Sequence, residues 1–102
     1  MNKTPIHRRA ITHFLKEGCT MSVFDEEEWA VTNSTNRKEI YEAVHSVDNP
    51  EVRMVDKDGV YFATLSIIWG WGMAPDETIA DWSYPEGNNT FDDWWGKAIK
   101  DH

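Results

Sequence analysis

Cysteine is almost missing from this chain, which has Cys19 alone among 102 residues. One thiol cannot close an internal disulfide and agrees with a reducing compartment, so we expect a cytoplasmic protein. No apolar run approaches the roughly 20 residues that span a bilayer, and the N-terminal segment lacks the apolar stretch of a signal peptide. Stability must therefore come from an apolar core, for which six Trp supply large side chains.

Basic residues are missing from a long part of the sequence. From Asp58 to Gly96 the chain carries seven acids and no Lys or Arg, and its net charge is −8. Binding to a nucleic-acid backbone or to an anionic membrane needs basic clusters, so we expect neither. Solubility explains many acidic surfaces, and attraction to a positively charged partner is the alternative. The first 18 residues are the exception and are basic, with Lys3, Arg8, Arg9 and Lys16.

The residue sets that reactions and metals require are also missing. Cys19 follows a predicted helix that carries His7 and His13, but a small buried thiol is commoner than a nucleophile. These two histidines are six residues apart, which does not point two imidazoles the same way on a helix. The segment DKDG lacks the closing Glu of a calcium loop, and WGWG lacks the Lys of a phosphate-binding loop. We therefore expect no enzyme activity, no metal and no cofactor.

Hydrophobic spacing predicts three helices and four to five strands. Thr4 is the expected N-cap of the first helix, Asn36 with Glu39 fits a capping box, and Thr90 is the expected cap of the last helix. Strand-like runs cover 20–24, 28–32, 51–55, 60–68 and 78–84. The order α-β-β-α-β-β-(β)-α predicts a single α+β domain over residues 1–102, an antiparallel sheet with helices on one face.

The tryptophans are the strongest sign of a binding surface. Burial is the commoner outcome for any one Trp, but six in a domain this small predict that at least one is partly exposed. In the first hairpin Trp29 and Val31 alternate with Ala30, so we expect both on the same side of the sheet. Aromatic side chains exposed near charge are typical of protein-binding sites. The predicted partner-binding residues are Asp25, Glu26, Glu27, Glu28, Trp69, Trp71, Asp76, Glu77, Asp81, Trp82, Asp92, Asp93 and Trp94.

The segment from Ser22 to Leu65, with its acidic turn, EEWA, SVD and D..G hairpin, resembles small proteins of unknown function carried by phages and mobile elements. Trp29, RKEIYEAV and NPEVRMVDKDG are more loosely similar to plasmid antirestriction proteins of the ArdA type. Proteins of that type are acidic, build small α+β domains and imitate the DNA that restriction enzymes bind. The resemblance implies a DNA mimic and supplies no catalytic residues.

Three functional hypotheses follow. The first is a phage or mobile-element protein that binds and inhibits a host protein with a basic surface, such as a nuclease, a restriction or CRISPR component, or a transcription enzyme. The second is a structural or assembly subunit that pairs with copies of itself, its basic first helix meeting the acidic face of a neighbour. The third, an enzymatic or small-ligand module around Cys19 and the N-terminal histidines His7 and His13, is the least favoured because the constellation that it needs is missing.

Overall fold

A computed structural model of the chain describes residues 4–69, 72 and 74–101. The elements, in chain order, are α1 (Ile6–Lys16), β1 (Thr20–Phe24), β2 (Trp29–Ser34), α2 (Arg37–Val44), β3 (Glu51–Val55), β4 (Tyr61–Ile67), a 3₁₀ turn (Pro75–Glu77), β5 (Ile79–Ser83), α3 (Thr90–Ala98) and a second 3₁₀ turn (Ile99–Asp101). The predicted α+β class and element order are confirmed.

The five strands form one antiparallel sheet in the order β2-β1-β3-β4-β5. One face is covered by the helices and the other is open, as is common for antiparallel sheets. The covered face carries the apolar members of each strand: Val31, Val23, Met21, Val52, Met54, Ala63, Leu65, Ile67 and Ile79. Successive strands of this sheet are joined by hairpin-type connections, except β2 and β3, which are joined by a crossover through α2.

Capping explains where two of the helices begin and end. The side chain of Asn36 accepts a hydrogen bond from the backbone N–H of Glu39, which is the expected cap of α2. α1 begins one residue later than expected, because Pro5 rather than Thr4 is its N-cap residue. It ends at Lys16, with Glu17 as its C-cap residue, and Gly18, whose φ is +91°, then lets the chain turn back so that Cys19 N–H bonds the carbonyl of Phe14.

Aromatic rings join the helix layer to the sheet. Phe14 of α1 lies 5.2 Å from Phe62 of β4 and 5.9 Å from Phe91 of α3, between ring centroids. All three rings are buried, with exposed fractions of 3% or less. A register shift in β4 turns both Phe62 and Ala63 towards the helices, whereas regular alternation would expose one of them. The shift therefore adds a large ring to the core.

A second bulge lies in β2 and reverses the expected orientation of Trp29. Val23 pairs with Val31 and Phe24 pairs with Trp29, so Ala30 is an extra residue in β2. Because neighbouring residues of β1 point to opposite faces, their partners Trp29 and Val31 do so too. Val31 is buried under the helices, and Trp29 lies on the open face with 45% of its surface exposed.

Truncation of Phe62 tests the aromatic contact between layers. We expect Phe62→Ala to lower the free energy of unfolding by about 3–5 kcal/mol, because the cavity opens below α1 and α3 where no solvent can fill it favourably. Urea denaturation followed by circular dichroism measures the change. Val60→Ala, two residues away and 51% exposed, is the matched control and should shift stability by under about 0.5 kcal/mol. Equal losses in the two variants would contradict this description of the core.

Candidate functional site

Three connections meet at one end of the sheet: β1–β2, α2–β3 and β4–β5. Strand pairing shows this directly, because one row of partners crosses the sheet near that end, through Trp29, Phe24, Glu51, Ser66 and Asp81. Neither Lys nor Arg occurs in the three connections. We call this region the acidic end, and its carboxylates are Asp25, Glu26, Glu27, Glu28, Asp48, Glu51, Asp76, Glu77 and Asp81.

The β1–β2 turn is held by its own first carboxylate. Oδ1 of Asp25 accepts hydrogen bonds from the backbone N–H groups of Glu28 at 2.9 Å and Glu27 at 3.1 Å, and these bonds lower the pKa of Asp25. Asp25 N–H in turn bonds the carbonyl of Glu28, and Glu26 adopts a positive φ of 84°. The side chains of Glu26, Glu27 and Glu28 are exposed. The turn therefore presents three carboxylates on an ordered backbone.

An aromatic pair lies at the base of this turn. The rings of Phe24 and Trp29 contact each other edge to face, with 5.3 Å between centroids. Because paired residues share a face, these rings lie on the same open face as Glu51 and Asp81. Trp29 was not among the predicted site residues. No propensity signals the bulge at Ala30 that exposes it; the one available sign was its position directly after three consecutive glutamates.

Besides the turn carboxylates, the acidic end contains three more of the predicted acids and one predicted tryptophan. Asp76 and Glu77 are exposed on the 3₁₀ turn, and Asp81 is exposed on β5. Trp69 is half-buried: its indole N–H donates to the carbonyls of Val44 at 3.1 Å and Val47 at 2.8 Å, at the C-terminal end of α2. This ring secures the loop to α2 and offers little area to a partner. Trp71, also predicted, lies outside the described residues.

The remaining predicted residues lie on α3 or against it. Asp92 Oδ1 accepts the indole N–H of Trp82 at 2.7 Å, and Oδ2 accepts the hydroxyl of Tyr84, so this carboxylate is used within the fold. Trp82 and Trp94 are half-buried against Phe91. Asp93 is exposed on α3 next to Trp94. The structure therefore splits the predicted set into two groups: one at the acidic end, and one on the helix-covered side of the sheet, where Trp82 and Trp94 pack against Phe91 of α3.

Cys19 adjoins a cavity of about 390 Å³ below α3, which Phe14, Phe62 and Trp94 also line. The thiol is buried, and burial, followed by the nearby carboxylates Asp56 and Glu17, raises its pKa to about 11. A thiol with this pKa is protonated at neutral pH, whereas nucleophilic cysteines need a lowered pKa. The environment of Cys19 therefore opposes thiolate chemistry.

A basic groove runs between α1 and α2. Tyr41 lies at its centre, with its hydroxyl hydrogen-bonded to Thr12 Oγ1 and to the carbonyl of Arg8. The groove has a volume of about 1060 Å³ and lies on the helix layer, on the side away from the open face of the sheet. Its basic side chains include Arg8, Lys16, Arg37 and Lys38. The sequence showed the basic face of the first helix, but not that α2 adds two more cations.

Two histidines meet beneath this groove. Nε2 of His7 lies 3.0 Å from Nε2 of His45, and the backbone N–H of His7 bonds Thr78 Oγ1. Burial, then the charges of His45 and Arg8, lowers the pKa of His7 to about 4. Its Nδ1 is buried without a partner among the described residues. His7 is therefore a neutral core residue at pH 7.

Neither metal ligands nor known relatives identify a function. Among the described residues, no group of three or more His, Cys, Asp or Glu side chains is placed to hold a metal ion. In the same part of the chain, every helix is too short or too polar to cross a bilayer. Comparison with protein-family models, curated proteins and solved structures gives no match. The functional argument therefore depends on the site itself.

The buried histidine predicts a pH dependence of stability. The unfolded chain binds a proton at His7 near pH 6.5, whereas the folded protein binds it only near pH 4. Acidification from pH 6.5 to pH 4 therefore lowers the free energy of unfolding, by up to about 3 kcal/mol at pH 4. The stabilisation that neutral His7 contributes is fully present above pH 6.5 and is lost as the pH falls. Urea denaturation at pH 7, 6, 5 and 4 should show this loss in the wild type relative to His7→Gln.

His13→Gln is the matched control for that series, because the side chain of His13 is 41% exposed. It should retain the wild-type dependence on pH. If stability of the wild type and of His7→Gln changes in parallel between pH 6.5 and 4, His7 does not titrate as its burial requires.

Proposed function

We propose that this protein is a non-enzymatic binding protein that inhibits a host protein by covering its nucleic-acid-binding surface with the acidic end. The observation that supports this most is the arrangement of the β1–β2 turn: three exposed glutamates directly beside the exposed ring of Trp29. Carboxylates grouped in this way attract a basic surface and accelerate encounter. The ring supplies apolar contact area, and Trp is enriched among residues that dominate binding energy.

DNA mimicry is the more specific form of this proposal. A surface that binds phosphates does so with Lys and Arg, and carboxylates placed in a row satisfy the same side chains. Neighbouring strands lie about 4.8 Å apart, so Glu51 and Asp81, two strands apart on one row, hold charges about 10 Å from each other. We place the protein in the host cytoplasm, encoded by a phage or mobile element, with a nuclease, a restriction or CRISPR component, or a transcription enzyme as its partner.

Charge reversal on the turn tests the electrostatic part. We expect Glu26→Lys/Glu27→Lys to weaken binding about tenfold or more, because like charges then face each other across the interface. The measurement is affinity capture from host lysate with mass spectrometry, then titration of the captured protein by surface plasmon resonance. Wild-type affinity should fall steeply between 50 and 500 mM salt. Proteins captured by mimicry should also elute with short duplex DNA.

Asp58→Lys/Glu86→Lys is the matched control for the reversal, because both residues are exposed and lie outside the acidic end, and the net charge changes equally. Capture that is indifferent to salt, or equal losses in both double variants, would exclude the acidic end as the binding surface.

Removal of the exposed ring tests the aromatic part. We expect Trp29→Ala to weaken the same interaction by about 2 kcal/mol, a factor of roughly 30, with little change in melting temperature since the ring is 45% exposed in the free protein. Val60→Ala, also exposed but on the β3–β4 turn at the other end of the sheet, should bind as the wild type does. An unchanged affinity in Trp29→Ala would remove this ring from the interface.

Self-association is the second candidate function, and the separation of charge favours it. The acidic end and the basic groove lie on different parts of the surface, so the acidic end of one copy can face the groove of another. A contact of this kind is heterologous: it builds a ring if the rotation between copies closes, and an open filament if it does not. Light scattering over a range of protein concentrations separates the two candidates, since a mass that stays monomeric excludes assembly.

A further inference from the structure

The groove between α1 and α2 concentrates positive charge on a chain whose net charge is −8. Arg8 and Lys16 come from α1, and Arg37 and Lys38 from the first turn of α2. Glu42 is the one carboxylate among the described residues that line the groove. Volumes of roughly 300–1,000 Å³ are usual for small-molecule sites, and this groove, at about 1060 Å³, is slightly larger than that range.

These cations are not neutralised within the fold. In the described part of the chain, none of Arg8, Lys16, Arg37 and Lys38 forms an ion pair with a carboxylate. A protein with 18 acids has many carboxylates that could have been placed here. Grouped positive charges without counter-charges repel one another, and a bound anion relieves that repulsion.

Tyr41 brings two of the guanidinium groups together. Cζ of Arg8 lies 4.9 Å and Cζ of Arg37 lies 5.9 Å from the centroid of its ring. The ring itself is fixed, because the Tyr41 hydroxyl donates to the carbonyl of Arg8 at 3.0 Å and lies 2.8 Å from Thr12 Oγ1. Cations from separate helices thus converge on one ordered side chain, which lowers the entropy lost when a ligand binds.

We propose that this groove binds a small ligand that carries two or more adjacent phosphate groups, as a nucleoside polyphosphate or a polyphosphate chain does. Planar guanidinium groups bind phosphate oxygens through paired hydrogen bonds, and lysines add charge. A short ligand fits the charge distribution better than nucleic acid does, because a long polyanion would extend beyond the groove onto a molecule of net charge −8. The site lies outside the acidic end and does not depend on the proposed function.

Calorimetric titration with sodium tripolyphosphate at 50 mM salt tests the proposal. We expect one binding site per chain, and Arg8→Gln/Arg37→Gln/Lys38→Gln should weaken binding about 30-fold or more through loss of charge-assisted hydrogen bonds. Arg53→Gln/Lys97→Gln/Lys100→Gln is the matched control: it removes equal charge outside the groove, and Arg53 likewise lies over a tyrosine ring, that of Tyr61. The control should bind tripolyphosphate within about twofold of the wild type.

Folding of the groove variant is checked by thermal melting. Positive side chains in the first turn of a helix oppose its dipole, so loss of Arg37 and Lys38 should not lower the melting temperature. Arg8→Lys/Arg37→Lys serves as a second variant, since it keeps the charge and removes the planar donors. We expect it to weaken tripolyphosphate binding about fivefold.

Two further ligands decide the class of ligand. Citrate, a carboxylate of similar charge, and a 12-base-pair DNA duplex should each bind more weakly than tripolyphosphate. The variant Glu26→Lys/Glu27→Lys, which changes the acidic end alone, should still bind tripolyphosphate. Absence of tripolyphosphate binding, equal loss in the groove and control variants, or tighter binding of citrate or DNA would each overturn the proposal. Concentration-dependent self-association that is lost in the groove variant would overturn it too, by showing that a second copy occupies the groove.

Discussion

The packing of Phe14, Phe62 and Phe91 between the helix layer and the sheet is the contact on which the rest of the structure depends. It assigns the buried apolar face of each strand to the helices and leaves the opposite face to solvent. On that open face, Ser22, Arg53, Thr64 and Ser83 form one cross-strand row. With the layers set in this way, the connections at each end of the sheet must be solvent-exposed, and that is where charge can gather without desolvation.

Charge separation is the second general property of the molecule. The acids of the acidic end come from segments that are distant in sequence, and the antiparallel strand order brings them together. The cations of the groove come from two helices that pack side by side. In the described part of the chain, no salt bridge joins the two groups, so positive and negative charge remain on separate surfaces. The fields of separated charges orient an approaching partner before contact.

The sequence predicted those features that depend on neighbouring residues. Periodicity found every strand and helix, and Asn36 with Glu39 was identified correctly as a cap. Features that depend on distant residues were missed, because no local pattern encodes them. The bulge at Ala30, which reverses the face of Trp29, is one example. The hydrogen bond from Trp82 to Asp92 is another, since it turns a predicted partner-binding carboxylate into a structural acceptor.

The bulge has a further effect, on the edge of the sheet. β2 is an edge strand with one unpaired side, and a long straight edge is a template on which another chain can add as a strand. Pairing of β1 with β2 shifts register twice within a few residues, and Asn33 has a φ of +46°. An edge strand bent in this manner cannot form a continuous ladder of hydrogen bonds with an added strand. The distortion that exposes the indole thus also makes this edge of the sheet a poor template for strand addition.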